Sequence, residues 1–245
     1  MQLNRYLSLC GIASRRQANT LIQEGRVRVN GDPVTRLGVR VEPERDAVTV
    51  DGKAVRPETR KRYVLLNKPP DVLTTVSDDR GRRTVTDLVV LPERVFPVGR
   101  LDHDTTGVLL LTNDGDLAYR LSHPRYEIQK VYCATVIGEV ADSILLKFRE
   151  GVEIDEGVFV KADVRILRRG RSGKTLLEFR IHEGKKRQIK RMCMATGHRV
   201  VSLERTCFAG LKTGPLKPGA WRELTSTEVR RLKELTGTGS IPHKG

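Results

Sequence analysis

An aspartate at position 102 stands in a polar turn, Gly99-Arg100-Leu101-Asp102, ahead of the aliphatic run at 108–111, which Asn113-Asp114-Gly115 then breaks. A strand apolar on both faces is buried on both faces. A carboxylate at its mouth is therefore held at the rim of a core, where a catalytic group can be fixed in place. A carboxylate so placed can stabilise, attack or deprotonate a developing electron-poor carbon. Three other acids crowd the same stretch. Asp104 reads as a turn hydrogen-bonder ahead of Thr105-Thr106-Gly107, and Asp114 and Asp116 as caps of a following helix. A second constellation is EGKKRQIKRM at 183–192, with Lys185, Lys186, Arg187, Lys190 and Arg191. Read as a helix over 185–196 closed by Gly197, it puts Lys186 with Lys190 and Arg187 with Arg191, and turns Ile189 and Met192 to the core. Tyr132, by itself, reads as a core tyrosine in a strand.

The chain around these residues is strongly basic. Among 245 residues, Lys and Arg total 45 against 30 acids, a net charge of +15. Dispersed excess charge with few aromatics favours a polyanionic partner, and nucleic acid first. Cys10, Cys133, Cys193 and Cys207 form no CxxC pair, and the histidines do not complement them. A zinc site, any other metal site and a disulfide framework are therefore not expected. No apolar run approaches the roughly 20 residues of a membrane span, and Met1-Gln2 leads directly into an amphipathic segment rather than a leader. The expectation is a cytoplasmic monomer with no membrane association.

The elements that position the chemistry divide in two. Residues 1–60 read as a small module in which basic residues outnumber acids. Leu3, Tyr6, Leu7 and Cys10 have helical spacing, and Ser14 caps a second helix ending at Gly25. Alternation from Arg26 to Val29 then runs into an Asn30-Gly31 hairpin turn, and Val48, Val50 and Asp51-Gly52 mark another strand pair. PETRKR at 57–62 is a charged linker. The second domain spans 61–235, with strands expected at 63–66, 108–111, 132–137, 158–167 and 176–181, and residues 236–245 read as a disordered tail. With no GxGxxG, no P-loop and no βαβ rhythm, the fold class is α+β: a small helical/β domain, then a domain with a mixed, mostly antiparallel sheet.

Residues 99–124, GRLDHDTTGVLLLTNDGDLAYRLSHP, resemble the signature of the bacterial ribosomal pseudouridine synthases that pair a small RNA-binding domain with a catalytic one. LNRYLSLCGIASRRQANTLIQEGRVRVNG at 3–31 resembles that small domain, and YVLLNKPPDVLTTVSD at 63–78 resembles the family's opening motif. Asp71 stands where a glycine is usual. The resemblance extends over residues 3–232 and implies isomerisation of uridine to pseudouridine in ribosomal RNA, free or within a ribosome-assembly intermediate. It implies no cofactor, because substrate and product are isomers. It makes Asp102 the catalytic residue and places Arg100 beside the displaced base. It stacks Tyr132, of Lys130-Val131-Tyr132, on that base, and pairs Lys190 with the catalytic aspartate. Leu101, Arg187 and Leu203 then line the substrate pocket. Arg5, Arg15, Arg16, Arg26 and Arg28 contact structured RNA, with Lys185, Lys186 and Arg191 as further RNA contacts. The form of the small domain and the length of the second favour large-subunit RNA over small. Two rival classes remain open. A non-catalytic RNA-binding assembly factor would keep the basic residues without needing Asp102, Tyr132 and Lys190 together. A metal-dependent nuclease would converge Asp102, Asp104, Asp114 and Asp116 on a divalent ion.

Overall fold

The computed structural model describes residues 1–170 and 173–237, which cluster into two units. One is Met1–Lys61 together with Leu91–Arg94, and the other is Arg62–Val90 with Val95 onward. The short segment Leu91–Arg94 thus belongs with the first unit although it lies within the span read as the second domain.

In the first unit, α1 (Leu3–Leu9) and α2 (Arg15–Gln23) precede a four-stranded antiparallel sheet of order β2-β1-β3-β4. Its strands are β1 (Val27–Val29), β2 (Asp32–Val34), β3 (Val48–Val50) and β4 (Lys53–Ala54). Ser14 and Gln17 form a reciprocal capping box at the start of α2, which satisfies two donors the helix leaves open. Asn30 and Gly31 both take positive φ, at 54° and 91°, as a two-residue hairpin turn requires. Leu3, Leu7, Ala18, Ile22, Val27 and Val48 bury between helices and sheet.

The second unit is built on one large sheet of order β11-β12-β8-β13-β7-β5-β14, with β6 also on β7. Its strands are β5 (Tyr63–Lys68), β6 (Phe96–Pro97), β7 (Thr106–Thr112), β8 (Lys130–Ile137), β11 (Asp163–Gly170), β12 (Lys174–Ile181), β13 (Val200–Phe208) and β14 (Trp221–Glu223). A hairpin of β9 (Val152–Asp155) and β10 (Val158–Val160) lies off this sheet. The helices are α3 (Val85–Leu88), α4 (Gly115–Ser122), α5 (Asp142–Glu150), α6 (Gln188–Ala195) and α7 (Ser226–Leu235). Only the β13–β7 pairing is parallel, so the sheet is mixed and mostly antiparallel. No helix among the described residues is long and apolar enough to cross a membrane.

The aliphatic run at 108–111 lies in β7, an interior strand of this sheet between β13 and β5, with all four residues fully buried. Val108 and Leu110 pack with Leu117 and Leu121 of α4 and with Phe208. Burying each such side chain is worth about 1.5–3 kcal/mol, which anchors the turn that precedes the strand. Gly107 sits where β7 and β13 converge. A Cβ there would stand 2.3 Å from the Arg205 carbonyl oxygen, and its φ is +100°, so glycine is required twice over.

Three expected boundaries shift. The strand expected over 158–167 is broken at Lys161-Ala162 into β10 and β11, because the segment leaves one hairpin and joins another sheet. The helix expected from 185 begins only at Gln188, since Arg187 holds a left-handed φ of 52° that no helix continues. Thr236, expected in the tail, is buried, and its carbonyl accepts from Arg120 Nη1 at 2.9 Å. Residues 238–245 lie outside the described residues.

Candidate active site

The turn at 99–105 is tied down from three sides. The Thr74 hydroxyl donates to the Leu101 carbonyl at 2.8 Å and accepts from the Leu101 amide at 3.3 Å. The Asp71 amide donates to the His103 carbonyl at 3.1 Å. Beneath the turn lies Lys68, the last residue of β5, fully buried. Its ammonium donates to the carbonyls of Pro69 (3.0 Å), His103 (3.0 Å) and Thr105 (2.9 Å), which uses all three of its protons. Burial pushes its pKa down to about 8, and Asp104, Asp71 and Asp102 act against that fall. Asp71, in the place where a glycine is usual, holds a left-handed φ of 60°. Aspartate tolerates that conformation, so the turn keeps its shape.

Asp102 emerges half-buried from this turn into a cavity of about 80 Å³. The cavity gathers residues from four parts of the chain: Arg100, Leu101, Asp102 and Thr105 of the turn, Tyr132 of β8, Lys185 and Arg187 ahead of α6, and Leu203 of β13. Tyr132 and Leu203 are buried and supply its flat apolar walls. The left-handed backbone of Arg187 ends the loop before α6, and the residue lines the cavity. A non-glycine residue held there is stored strain of the kind that functional loops carry.

Lys190 is not where the resemblance places it. Its ammonium meets Asp104 Oδ1 at 2.5 Å rather than Asp102, and it is not part of the cavity lining. That hydrogen bond, with the Lys190 charge and the more distant Arg187, holds the Asp104 carboxyl below its ordinary range. Asp104 is thus an ion-pair member, not the simple turn residue expected. The physical reason is reach: of the two turn carboxylates, it is Asp104 that lies within hydrogen-bond distance of the Lys190 ammonium, while Asp102 lines the cavity.

Other expected RNA contacts are already engaged. Arg191 donates to the carbonyls of Lys186 and Ile154, both at 3.0 Å, and pairs with Asp155, so it staples α6 to β9. Lys186 and Arg187 precede the helix, so the expected i,i+4 faces do not form. Lys185 and Lys186 are exposed. In the first unit Arg26 is held by both oxygens of Asp51, at 2.9 and 2.7 Å, and by Glu24 at 3.3 Å. Arg28 donates to the Gly31 carbonyl at 3.0 Å and closes its own hairpin. Arg15 reaches only Gln2, at 3.5 Å, while Arg5 and Arg16 lie on the same helical pair.

The four aspartates do not converge. Asp114 accepts from the Leu117 amide and the Tyr63 hydroxyl and caps α4, and Asp104 is paired with Lys190. Among the described residues no group of three or more His, Cys, Asp or Glu is placed to hold a metal ion.

Four residues of the site carry no assigned role in the sequence reading: Lys68, Thr74, Thr105 and Gln188. Lys68 left a signal, since a lysine ending the aliphatic strand YVLLNK directly before Pro-Pro continues a buried pattern. Gln188, also buried, accepts from the Lys185 amide at 2.9 Å and donates to Glu183 at 3.1 Å, fixing the loop that carries Lys185 and Arg187. Thr105 is buried on the cavity wall with its hydroxyl unpartnered. Nothing in its sequence surroundings marks it.

Comparison with known proteins bears on this geometry. Residues 62–195 match the family model described as RNA pseudouridylate synthase, and residues 1–47 match the S4 domain. An uncharacterized RNA pseudouridine synthase of Aquifex aeolicus is 48% identical, over 100% of this chain and 98% of its own. The ribosomal large subunit pseudouridine synthase B of Bacillus subtilis is 43% identical, over 97% of this chain and 98% of its own. A crystal structure of a pseudouridylate synthase superposes with a TM-score of 0.69 at 27% identity, over 95% of this chain and 99% of that one.

Proposed function

The chain belongs to the RNA pseudouridylate synthase family, and from that premise we propose that it converts a uridine of large-subunit ribosomal RNA to pseudouridine with Asp102 as the catalytic residue. The observation that carries the assignment is the cavity in which Asp102 faces Arg100, Tyr132 and Leu203. The large-subunit choice is supported by the 43% identity to the Bacillus subtilis large-subunit enzyme across nearly the whole of both chains.

In this reaction the bond from ribose C1′ to uracil N1 breaks, the base turns, and a bond from C1′ to C5 forms. C5 loses its hydrogen as a proton and N1 gains one, so nothing is consumed. Attack on C1′ and removal of the neighbouring C2′ proton both start from an ionised carboxylate at position 102. Tyr132 provides the face against which the free base is held, and Arg100 lies beside the displaced base and helps hold the flipped nucleotide. Arg187 and Lys185 attract the phosphates around it. Lys190 acts at one remove, by holding Asp104 and with it the far end of the turn. Residues 1–60 form the RNA anchor, and the enzyme works as a cytoplasmic monomer on ribosomal RNA or an assembling subunit.

The test is Asp102→Asn, which keeps the shape and removes the charge. Release of tritium from C5-labelled uridine in ribosomal RNA should fall by at least about 10²–10⁴-fold, with RNA affinity and thermal unfolding unchanged. Substantial turnover by a folded Asp102→Asn protein defeats the assignment.

A further inference from the structure

A second cavity, of about 120 Å³, adjoins the first and shares Arg100, Tyr132 and Gly184 with it. Its wall carries three cations, Arg100, Lys130 and Arg205, against one acid, Glu183. Arg205 is 2% exposed, and its Nη2 has no hydrogen-bond partner. Lys130 is held by the carbonyls of Ile128 and His182, and burial, reinforced by Arg205, pushes its pKa down to about 8. Neighbouring partly desolvated cations are costly unless an anion joins them.

Ser122 and Pro124, at and just beyond the end of α4, also line this cavity. Immediately beside them is a cluster that the proposed chemistry does not use. The rings of Tyr119, His123 and Tyr126 lie 5.0 to 6.5 Å apart. The Arg125 guanidinium covers Tyr126 at 4.6 Å and Tyr119 at 5.6 Å. Tyr119 is nevertheless 49% exposed, the most exposed tyrosine in the chain. Exposed aromatic faces interleaved with arginine suit single-stranded nucleic acid, because every base has a face to stack and every phosphate a charge to meet.

We propose that Tyr119, His123, Arg125 and Tyr126 form a stacking subsite for an unpaired base flanking the target uridine, and that the Arg100–Lys130–Arg205 cavity takes the backbone phosphates between the two. This rests on the RNA-modifying reading above and adds to it the path of the strand as it leaves the pocket. The alternative is a self-contained aromatic cap on α4 that touches no RNA.

Two measurements separate these cases. The first is fluorescence anisotropy of a 5′-fluorescein oligoadenylate dodecamer with the full chain. Tyr119→Ala should weaken binding about tenfold and Tyr119→Phe should restore it. Arg125→Ala should flatten the log–log salt dependence by about 0.7. The second is steady-state turnover on ribosomal RNA from cells lacking the enzyme, where Tyr119→Ala should raise KM with kcat held. Oligoadenylate affinity within twofold of wild type for Tyr119→Ala overturns the subsite, as does a fall in kcat at unchanged KM. If the wild-type protein turns over no ribosomal RNA, the proposed function fails instead, and the anisotropy series alone decides the subsite.

Discussion

The turn at 99–105 and the start of α2, with Arg15 and Arg16, treat charge in opposite ways. Around the turn, the Lys68 ammonium has a fixed partner for every proton, Lys190 is paired, and the backbone is held by Thr74 and Asp71. On the helical pair of the first unit, Arg15 has one long contact and Arg16 is exposed. The difference is one of task. A reacting carboxylate must be positioned to a fraction of an ångström, and error there costs orders of magnitude in rate. A phosphate contact needs charge within reach, and long, loosely held side chains supply it. Charge counted from composition treats the two alike, but only one is built to be rigid.

The sharpest way to break this contrast is to remove the fixture. Lys68→Met leaves the carbonyls of Pro69 and Thr105 without the ammonium, and that of His103 with the Asp71 amide alone, and so loosens the turn. We expect turnover to fall about 10²-fold with RNA affinity little changed, read by tritium release and by filter binding. Wild-type activity in this variant would show that the turn holds its shape without the ammonium. The same lysine sets a pH signature. Its pKa falls from 10.5 to about 8 in the folded protein, so above pH 8 the native state sheds a proton that the unfolded chain keeps up to about 10.5. The unfolded state then binds more protons, and stability from this group rises with pH across that window. Activity should fall over the same window as the amine loses one of the three protons that hold the turn. Thermal unfolding and turnover of wild type and Lys68→Met, compared between pH 7.5 and 10, separate the Lys68 contribution from that of Lys130.

A smaller effect tests the partner of Lys190. If its work is to hold Asp104, Lys190→Met and Asp104→Asn should each lower kcat about tenfold, and the double variant should be no worse than either alone. Additive losses would return Lys190 to a separate role at Asp102.

The mildest change belongs to the loosely held region. Arg15→Ala with Arg16→Ala should weaken ribosomal RNA binding severalfold and flatten its log–log salt dependence by about two units, leaving kcat intact at saturating RNA. An unchanged salt dependence would remove α2 from the RNA interface. Dialysis against a chelator should leave turnover as it was, and a loss restored by magnesium would revive the nuclease class.

What the sequence determined by itself is local. Ser14 with Gln17 specified the start of α2, Asn30-Gly31 and Asp51-Gly52 specified two hairpin turns, and Asp114 capped α4, because caps and two-residue turns are decided by neighbouring residues. The aliphatic run at 108–111 announced a doubly buried strand, and the strand is the middle of β7. The motif at 99–102 put Asp102 at the mouth of that strand, and the cavity is there. Tertiary structure decided what depends on distant partners. The parallel pairing of β13 with β7, through Gly107 and Arg205, joins segments about a hundred residues apart, and no local pattern encodes that pairing. It decided that Lys190 meets Asp104, that Arg191 and Arg26 bind protein carbonyls and carboxylates, and that Lys68 lies buried beneath the turn. A long basic side chain reads the same in sequence whether it ends on phosphate, carboxylate or carbonyl; the backbone brought within its reach makes that choice.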